Sequence, residues 1–209
     1  MKKFFLLFFA VCTFLLSTSA QNTVAVTLDI QKNSTLSIRG TTNVIPFMLY
    51  QNSDNFIRKN LTITASKNQN KLYLHENKIC VPVNRFNSTN KKALKDFFKL
   101  MKSDTYPDLQ IKLDYIELTS SNSLAEGNAI VDVTITGVTK KYSFPIHTHR
   151  EGNSYLFSIR KDINIRDFRL TPPSQILGMI KVNEWINIDL NMICTIQPVK
   201  PNELLSDNL

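Results

Sequence analysis

Apolar and polar residues alternate with period two along most of residues 24–196. Val24, Val26, Leu28 and Ile30 form one such set, and Leu61, Ile63 and Ala65 another. Leu109, Ile111, Leu113 and Tyr115 follow, then Val131, Val133 and Ile135. Tyr142, Phe144 and Ile146 precede Tyr155, Phe157 and Ile159, and the longest set runs Ile186, Ile188, Leu190, Met192, Cys194, Ile196. Shorter runs at 36–41, 45–50, 71–75 and 78–83 predict further strands. Side chains two apart share one face of a strand, so each set is a strand with one apolar and one wet face. Repeated about eight times, this predicts an all-β chain: an antiparallel sheet curled into a barrel around a core.

The punctuation fits hairpins. Asn68-Gln69-Asn70, the stretch 120–123, Gly137 and Glu151-Gly152-Asn153 each separate two alternating runs. Gly is scarce at 5 residues while Asn reaches 21, and Asn tolerates the left-handed backbone of tight turns. Sequential pairing, an up-and-down order, is therefore expected. One segment changes period. From 90 to 103, Leu94, Phe97, Phe98 and Met101 fall at helical spacing, with Ser88, Thr89 and Asn90 as N-cap candidates and Pro107 beyond the end. Lys91, Lys92, Lys95, Lys99 and Lys102 occupy its opposite face. A single amphipathic α-helix among strands covers one end of the barrel.

The ends of the chain read differently. Lys2 and Lys3 precede an apolar run over 4–16, and Ser17, Thr18, Ser19 and Ala20 supply small residues for cleavage. This is the pattern of a signal peptide over 1–20, too short in its apolar part to span a bilayer. Its removal takes two lysines with it and leaves 189 residues at net charge +6. The expected product is periplasmic or secreted: a barrel domain over 21–197 and a polar tail over 198–209 that contains two Pro. Cys80 and Cys194 remain in an oxidising compartment, but they fall on opposite parities of their strands, and unpaired thiols are the preferred reading.

Charge and chemistry add little that is catalytic. No G-x-S-x-G, H-E-x-x-H, P-loop or G-x-G-x-x-G occurs, and no catalytic residue, metal ligand or cofactor is assigned. His147 and His149 share a strand face, but Tyr142, Phe144 and Ile146 define the apolar face, which places both imidazoles on the wet one. The lysine-rich helix face is solvated, or it contacts anionic lipid headgroups. Nucleic acid is not expected for an exported chain whose bases lie on one helix.

Four stretches resemble the YceI-like family. Leu36-Ser-Ile-Arg-Gly-Thr-Thr-Asn-Val44 is similar to a strand ending in a Gly-Thr-Ser/Thr-Asn-Val turn. Tyr106-Pro-Asp-Leu-Gln-Ile-Lys-Leu113 resembles the family's Tyr-Pro-x-Ile-x-Phe strand, and Ile135-Thr-Gly-Val-Thr-Lys-Lys141 its Gly-Val-Thr-Lys hairpin. Asp167-Phe-Arg-Leu-Thr-Pro-Pro173 with Ile186-Asn-Ile188 is similar to its Asp-Phe-Gly-Ile-x-Pro-Pro stretch and last strand. Two positions depart: Ile45-Pro46-Phe47 stands where His-Asp-Trp is frequent, and Arg169 where Gly is usual. The resemblance implies an extended lipocalin-like antiparallel barrel with an apolar tunnel, in which some members hold a polyisoprenoid or related amphiphile.

The expected function is a non-catalytic carrier of a long apolar chain. The tunnel lining is expected from Ile111, Leu113, Val133, Ile135, Phe144, Ile146, Phe157, Ile188 and Leu190, with Phe97, Phe98 and Met101 from the helix at the mouth. Barrels of about eight strands can instead be filled by their own side chains. That alternative describes an envelope interaction or stress-protection module with no ligand.

Overall fold

The computed structural model describes residues 23–52, 60–75, 78–120, 123–175 and 179–198. The expected leader over 1–20, the stretch 121–122 of one expected turn, and the expected tail beyond 198 lie outside these residues. The strands are β1 (Thr23–Ile30), β2 (Thr35–Thr41), β3 (Pro46–Asn52), β4 (Asn60–Asn68), β5 (Lys71–His75) and β6 (Lys78–Pro82). After helix α1 (Lys91–Leu100) come β7 (Asp108–Ser120), β8 (Ser123–Ile135), β9 (Val138–Glu151), β10 (Ser154–Asn164), β11 (Ser174–Gln175), β12 (Ile180–Lys181) and β13 (Trp185–Pro198). Every alternating set of the sequence is a strand.

Eight strands close a ring in the order β1-β4-β5-β7-β8-β9-β10-β13, with β13 returning to β1, and every pairing is antiparallel. The expected up-and-down order holds from β7 to β10. It fails at the N-terminal side, where two strands share one edge. β13 pairs β2 over 187–191 and β1 over 194–198. Between them the chain steps aside at 31–34, and Ser34, fully buried, repairs the ladder. Its hydroxyl donates to the Ile193 carbonyl at 3.2 Å and accepts from the Ile193 amide at 2.9 Å. β7 is likewise shared by β6 and β5.

The result is a long barrel with two differently built poles. At one, β1, β4 and β5 complete the ring. At the other, β2 and β3 approach β6, and the seam is stitched by the Tyr50–Asn87 bridge and by Gln51, whose side-chain amide donates to the Pro82 carbonyl at 2.7 Å. Helix α1 covers this second pole. Asn90 caps it by accepting from the Ala93 amide at 3.0 Å, and Ser88 locks the cap by accepting from the Asn90 amide and donating to the Met48 carbonyl. Phe97 packs edge-on against Phe86 at 5.1 Å, and Met101 closes the helix in full burial. Lys91, Lys92, Lys95, Lys99 and Lys102 all face solvent.

The turns correct one expectation. Among the described residues, left-handed backbone falls on Gln69, Lys102, Thr136, Gly137, Gly152 and Arg169, and on no asparagine. Thr136-Gly137 forms a two-residue turn with both φ positive, the geometry that matches strand twist. A Cβ on Gly137 would sit 3.3 Å from the Tyr106 ring, so the Tyr-Pro stretch packs directly on this hairpin. The asparagines instead bond backbone with their side chains: Asn90 and Asn164 cap helical turns, and Asn43, Asn87 and Asn183 tie loops.

His147 and His149 lie on the outer face, as the parity of β9 requires, with His147 3.9 Å from Glu126. Among the described residues the outer wall holds one buried carboxylate. Asp189, 5% exposed, accepts from Arg160 at 2.7 and 3.1 Å, pairs Arg39 at 3.4 Å, and accepts from the Asn191 side-chain amide at 3.0 Å, joining β10, β13 and β2. Asp189→Ala is expected to lower stability by about 1–3 kcal/mol, read as a lower urea midpoint at unchanged slope.

Cys80 and Cys194 are unpaired thiols, one half-buried on β6 and the other fully buried on β13. Burial, and secondarily Asp29, pushes the Cys194 thiol up from its ordinary 9.0 to about 11. The native state therefore favours the neutral thiol. Its contribution to stability is complete below about pH 9 and is lost as pH rises through about 11. A thiol reagent at neutral pH should label Cys80 and spare Cys194 until the chain unfolds.

Candidate functional site

Under α1 the barrel is hollow. A cavity of about 340 Å³ occupies the interior of the helix pole. Its walls come from the inward parity of the strands: Leu36 and Ile38 of β2, Phe47 and Leu49 of β3, Leu109 and Ile111 of β7, Val133 and Ile135 of β8, and Ile186 and Ile188 of β13. Ile163, Ile165 and Leu170 fill in where β9 and β10 part company, and Ala93, Phe97, Leu100 and Met101 form the roof. Most wall residues are aliphatic and of middle size, and they leave the axis of the ring open. The barrel is thus not filled by its own side chains at this end.

The polar side chains of the lining are Thr42, Asn90, Lys92 and Asp96. They come from two segments only, α1 with its cap and the turn joining β2 to β3, which also contributes the exposed Val44 and Ile45 and so marks the mouth. Deeper in, the walls are hydrocarbon. Such a site offers dispersion contacts and exclusion of water to an apolar guest, with no titratable group along the buried walls. Beside Leu36 on the ladder, the buried Gln51 keeps its side-chain oxygen without a hydrogen-bond partner among the described residues.

The mouth is a built structure. The Thr42 hydroxyl accepts from the amides of Val44 and Ile45 at 3.1 and 2.9 Å and shapes the turn. Asn43 then clips that turn to the segment around β12. Its side chain donates to the Met179 carbonyl at 2.8 Å and accepts from the Lys181 amide at 2.9 Å. On the far side, the Tyr142 hydroxyl donates to Asp167 at 2.8 Å, while its ring packs on Phe144 and Phe168. Burial first, and Asp167 second, pushes the Tyr142 phenol well above its usual range. Arg166 and Glu184 pair beside it, which lowers the Glu184 carboxyl. Arg169 follows in left-handed backbone at φ 60°. A left-handed residue is least costly as Gly, which explains why a Gly-favouring pattern meets strain here when Arg replaces it.

Seven of the twelve expected lining residues reach the cavity: Phe97, Met101, Ile111, Val133, Ile135, Phe144 and Ile188. Phe98, Leu113, Ile146, Phe157 and Leu190 pack in the same hydrophobic core without reaching it. Leu113, Ile146, Phe157 and Leu190 lie farther along their strands toward the opposite pole. The short runs at 36–41 and 45–50 carried the signal for Leu36, Ile38, Phe47 and Leu49. Ile180, Val182 and Pro173 had none, because their segment has no periodicity.

A family model for the YceI-like domain matches residues 56–193. Among solved structures, BcnA of Burkholderia cenocepacia is similar, with a TM-score of 0.58 at 13% identity over 77% of this chain and 95% of that one. A polyisoprenoid binding domain from Saccharophagus degradans gives a TM-score of 0.52 at 8% identity over 83% of this chain and 99% of the other. At these identities the two structures speak for the fold. Among curated proteins none matches the sequence.

Gly40 ties the turn to the cavity wall. It faces inward, and a Cβ there would lie 2.3 Å from the tip of the Phe47 ring, which covers it. Gly40→Ala is expected to push that ring into the cavity and weaken uptake of a fluorescent alkyl probe several-fold, with the circular dichroism of the barrel retained.

Proposed function

Because the chain belongs to the YceI-like domain family, we propose that it is an exported, non-catalytic carrier that holds an apolar chain, a polyisoprenoid or similar lipid, in the cavity under α1. The observation that carries this reading is a cavity of about 340 Å³ whose polar lining is confined to the mouth. The polyisoprenoid binding domain from Saccharophagus degradans supports the ligand class by its similarity in fold.

The volume sharpens the reading. A dry protein cavity of about 150 Å³ accommodates benzene, so about 340 Å³ takes roughly fourteen carbons, near three isoprene units. A longer chain leaves its remainder in the mouth. At about 0.8 kcal/mol per buried methylene, the guest gains roughly 10 kcal/mol in gross transfer energy. Association costs at least about 4 kcal/mol of this, which leaves about 6 kcal/mol, a dissociation constant of roughly tens of micromolar without polar chemistry. The signal-peptide pattern at 1–20 supports export, and the exported protein is expected to begin at Gln21 by mass.

Native mass spectrometry of gently purified protein should show a bound lipid, and farnesol or geranylgeraniol should raise the melting temperature. Val133→Trp places an indole in the cavity and should remove both effects while the empty barrel stays folded. Wild-type protein that carries no lipid and shows no thermal shift with either prenol would sink the proposal.

A further inference from the structure

Exposed apolar side chains are unevenly distributed over this molecule. Among the described residues the large hydrophobics left in water are Val24, Val44, Ile45, Met48, Met179 and Trp185. Val24 alone belongs to the pole opposite the helix. The other five lie at the helix pole: Val44 and Ile45 in the turn joining β2 to β3, Met48 in β3, Met179 next to β12 and Trp185 at the start of β13. Val44 is 65% exposed, Ile45 52%, Met179 71% and Trp185 54%. Val44 and Ile45 also line the mouth itself. Asn43 holds their turn against Met179, so two loop tips present one apolar rim.

Positive charge flanks this rim. Lys92 lines the mouth, and Lys91, Lys95 and Lys99 fan from the exposed face of the same helix, with exposed Lys181 on the clipped segment. The acidic groups at this pole are Glu184, paired with Arg166, Asp167, bonded to Tyr142, Asp96, between lysines on α1, and exposed Asp104 beyond the end of the helix. An apolar edge beside a lysine face matches the interface of an anionic bilayer, where methylenes leave water and ammonium groups meet phosphates. Each such lysine near an anionic surface contributes about 1 kcal/mol. Trp185, on the outer wall at this pole, suits the same interfacial depth.

The geometry points to the helix pole as a docking surface for an anionic lipid bilayer, with Val44, Ile45 and Met179 entering the headgroup layer and the α1 lysines beside them. The mouth then opens onto the membrane, the one direction from which an apolar cargo reaches the cavity without crossing water. This deepens the carrier reading in naming a route for the cargo, but the docking itself does not require that reading to hold.

The chain has one Trp, and Trp185 lies in the proposed contact. Protein freed of lipid is mixed with vesicles of phosphatidylcholine, alone or doped with phosphatidylglycerol. The expected result is binding at least about tenfold tighter to the anionic vesicles, a blue shift of Trp185 emission, and quenching by brominated acyl chains. Met179→Asp should weaken binding to the anionic vesicles about tenfold or more, and Lys91→Glu with Lys95→Glu should do the same there while leaving the neutral vesicles unchanged. Val24→Asp, at the opposite pole, should change nothing. Trp185 emission that ignores anionic vesicles would overturn the proposal, as would a Val24→Asp loss equal to that of Met179→Asp. A wild-type dimer that Met179→Asp converts to monomer would assign the rim to a second copy instead. Vesicle binding without farnesol uptake would remove the carrier reading and leave docking standing; farnesol uptake without vesicle binding would do the reverse.

Discussion

Strand β13 is the seam on which the barrel depends. One edge holds β10 along all 11 residues of that strand, and the other is divided between β2 and β1. The division works because the buried Ser34 hydroxyl accepts from the Ile193 amide, while the Ile193 carbonyl accepts from the Gln31 amide at 2.8 Å and from the Ser34 hydroxyl. The Asp189 clasp binds the same three strands on the outer wall. Releasing β2 from the β1 sheet lets it run on with β3 to form the turn at the mouth, and so the cavity follows from how one strand edge is shared.

The hollow follows from the same arrangement. Eight antiparallel strands fix the width of the ring, and the pleat turns every second side chain inward. At the helix pole those positions carry mainly Leu, Ile and Val, which leave the axis open beneath α1. Phe47 lines it at the β2–β3 side, and its ring lies across Gly40, where no Cβ stands in the way.

Much of this was legible in the residues. Period-two alternation marked the strands because each has one buried face, and Asn90 followed by Leu94, Phe97 and Met101 marked the helix by its cap and its spacing. Other features were not legible. Whether a ring is filled depends on the difference between its width and its side-chain volumes, which no local pattern reports. The split of β1 from β2 depends on Ser34 meeting Ile193, 159 residues away. The abundance of asparagine suggested left-handed turns, but the side-chain amides are used to bond backbone at caps and loops, and Gln69, Thr136 and Arg169 take the strained positions. The rim formed by Val44, Ile45 and Met179 arises from an Asn43 clip between segments that show no periodicity.

Length dependence tests the central claim most directly. Calorimetric titration of lipid-free protein with prenols of increasing length should show affinity rising with each isoprene unit up to about fifteen carbons, where about 340 Å³ is filled, and then levelling, with a negative heat-capacity change throughout. Affinity that ignores chain length, or that follows the headgroup while the chain makes no difference, would contradict a cavity that works by enclosing hydrocarbon.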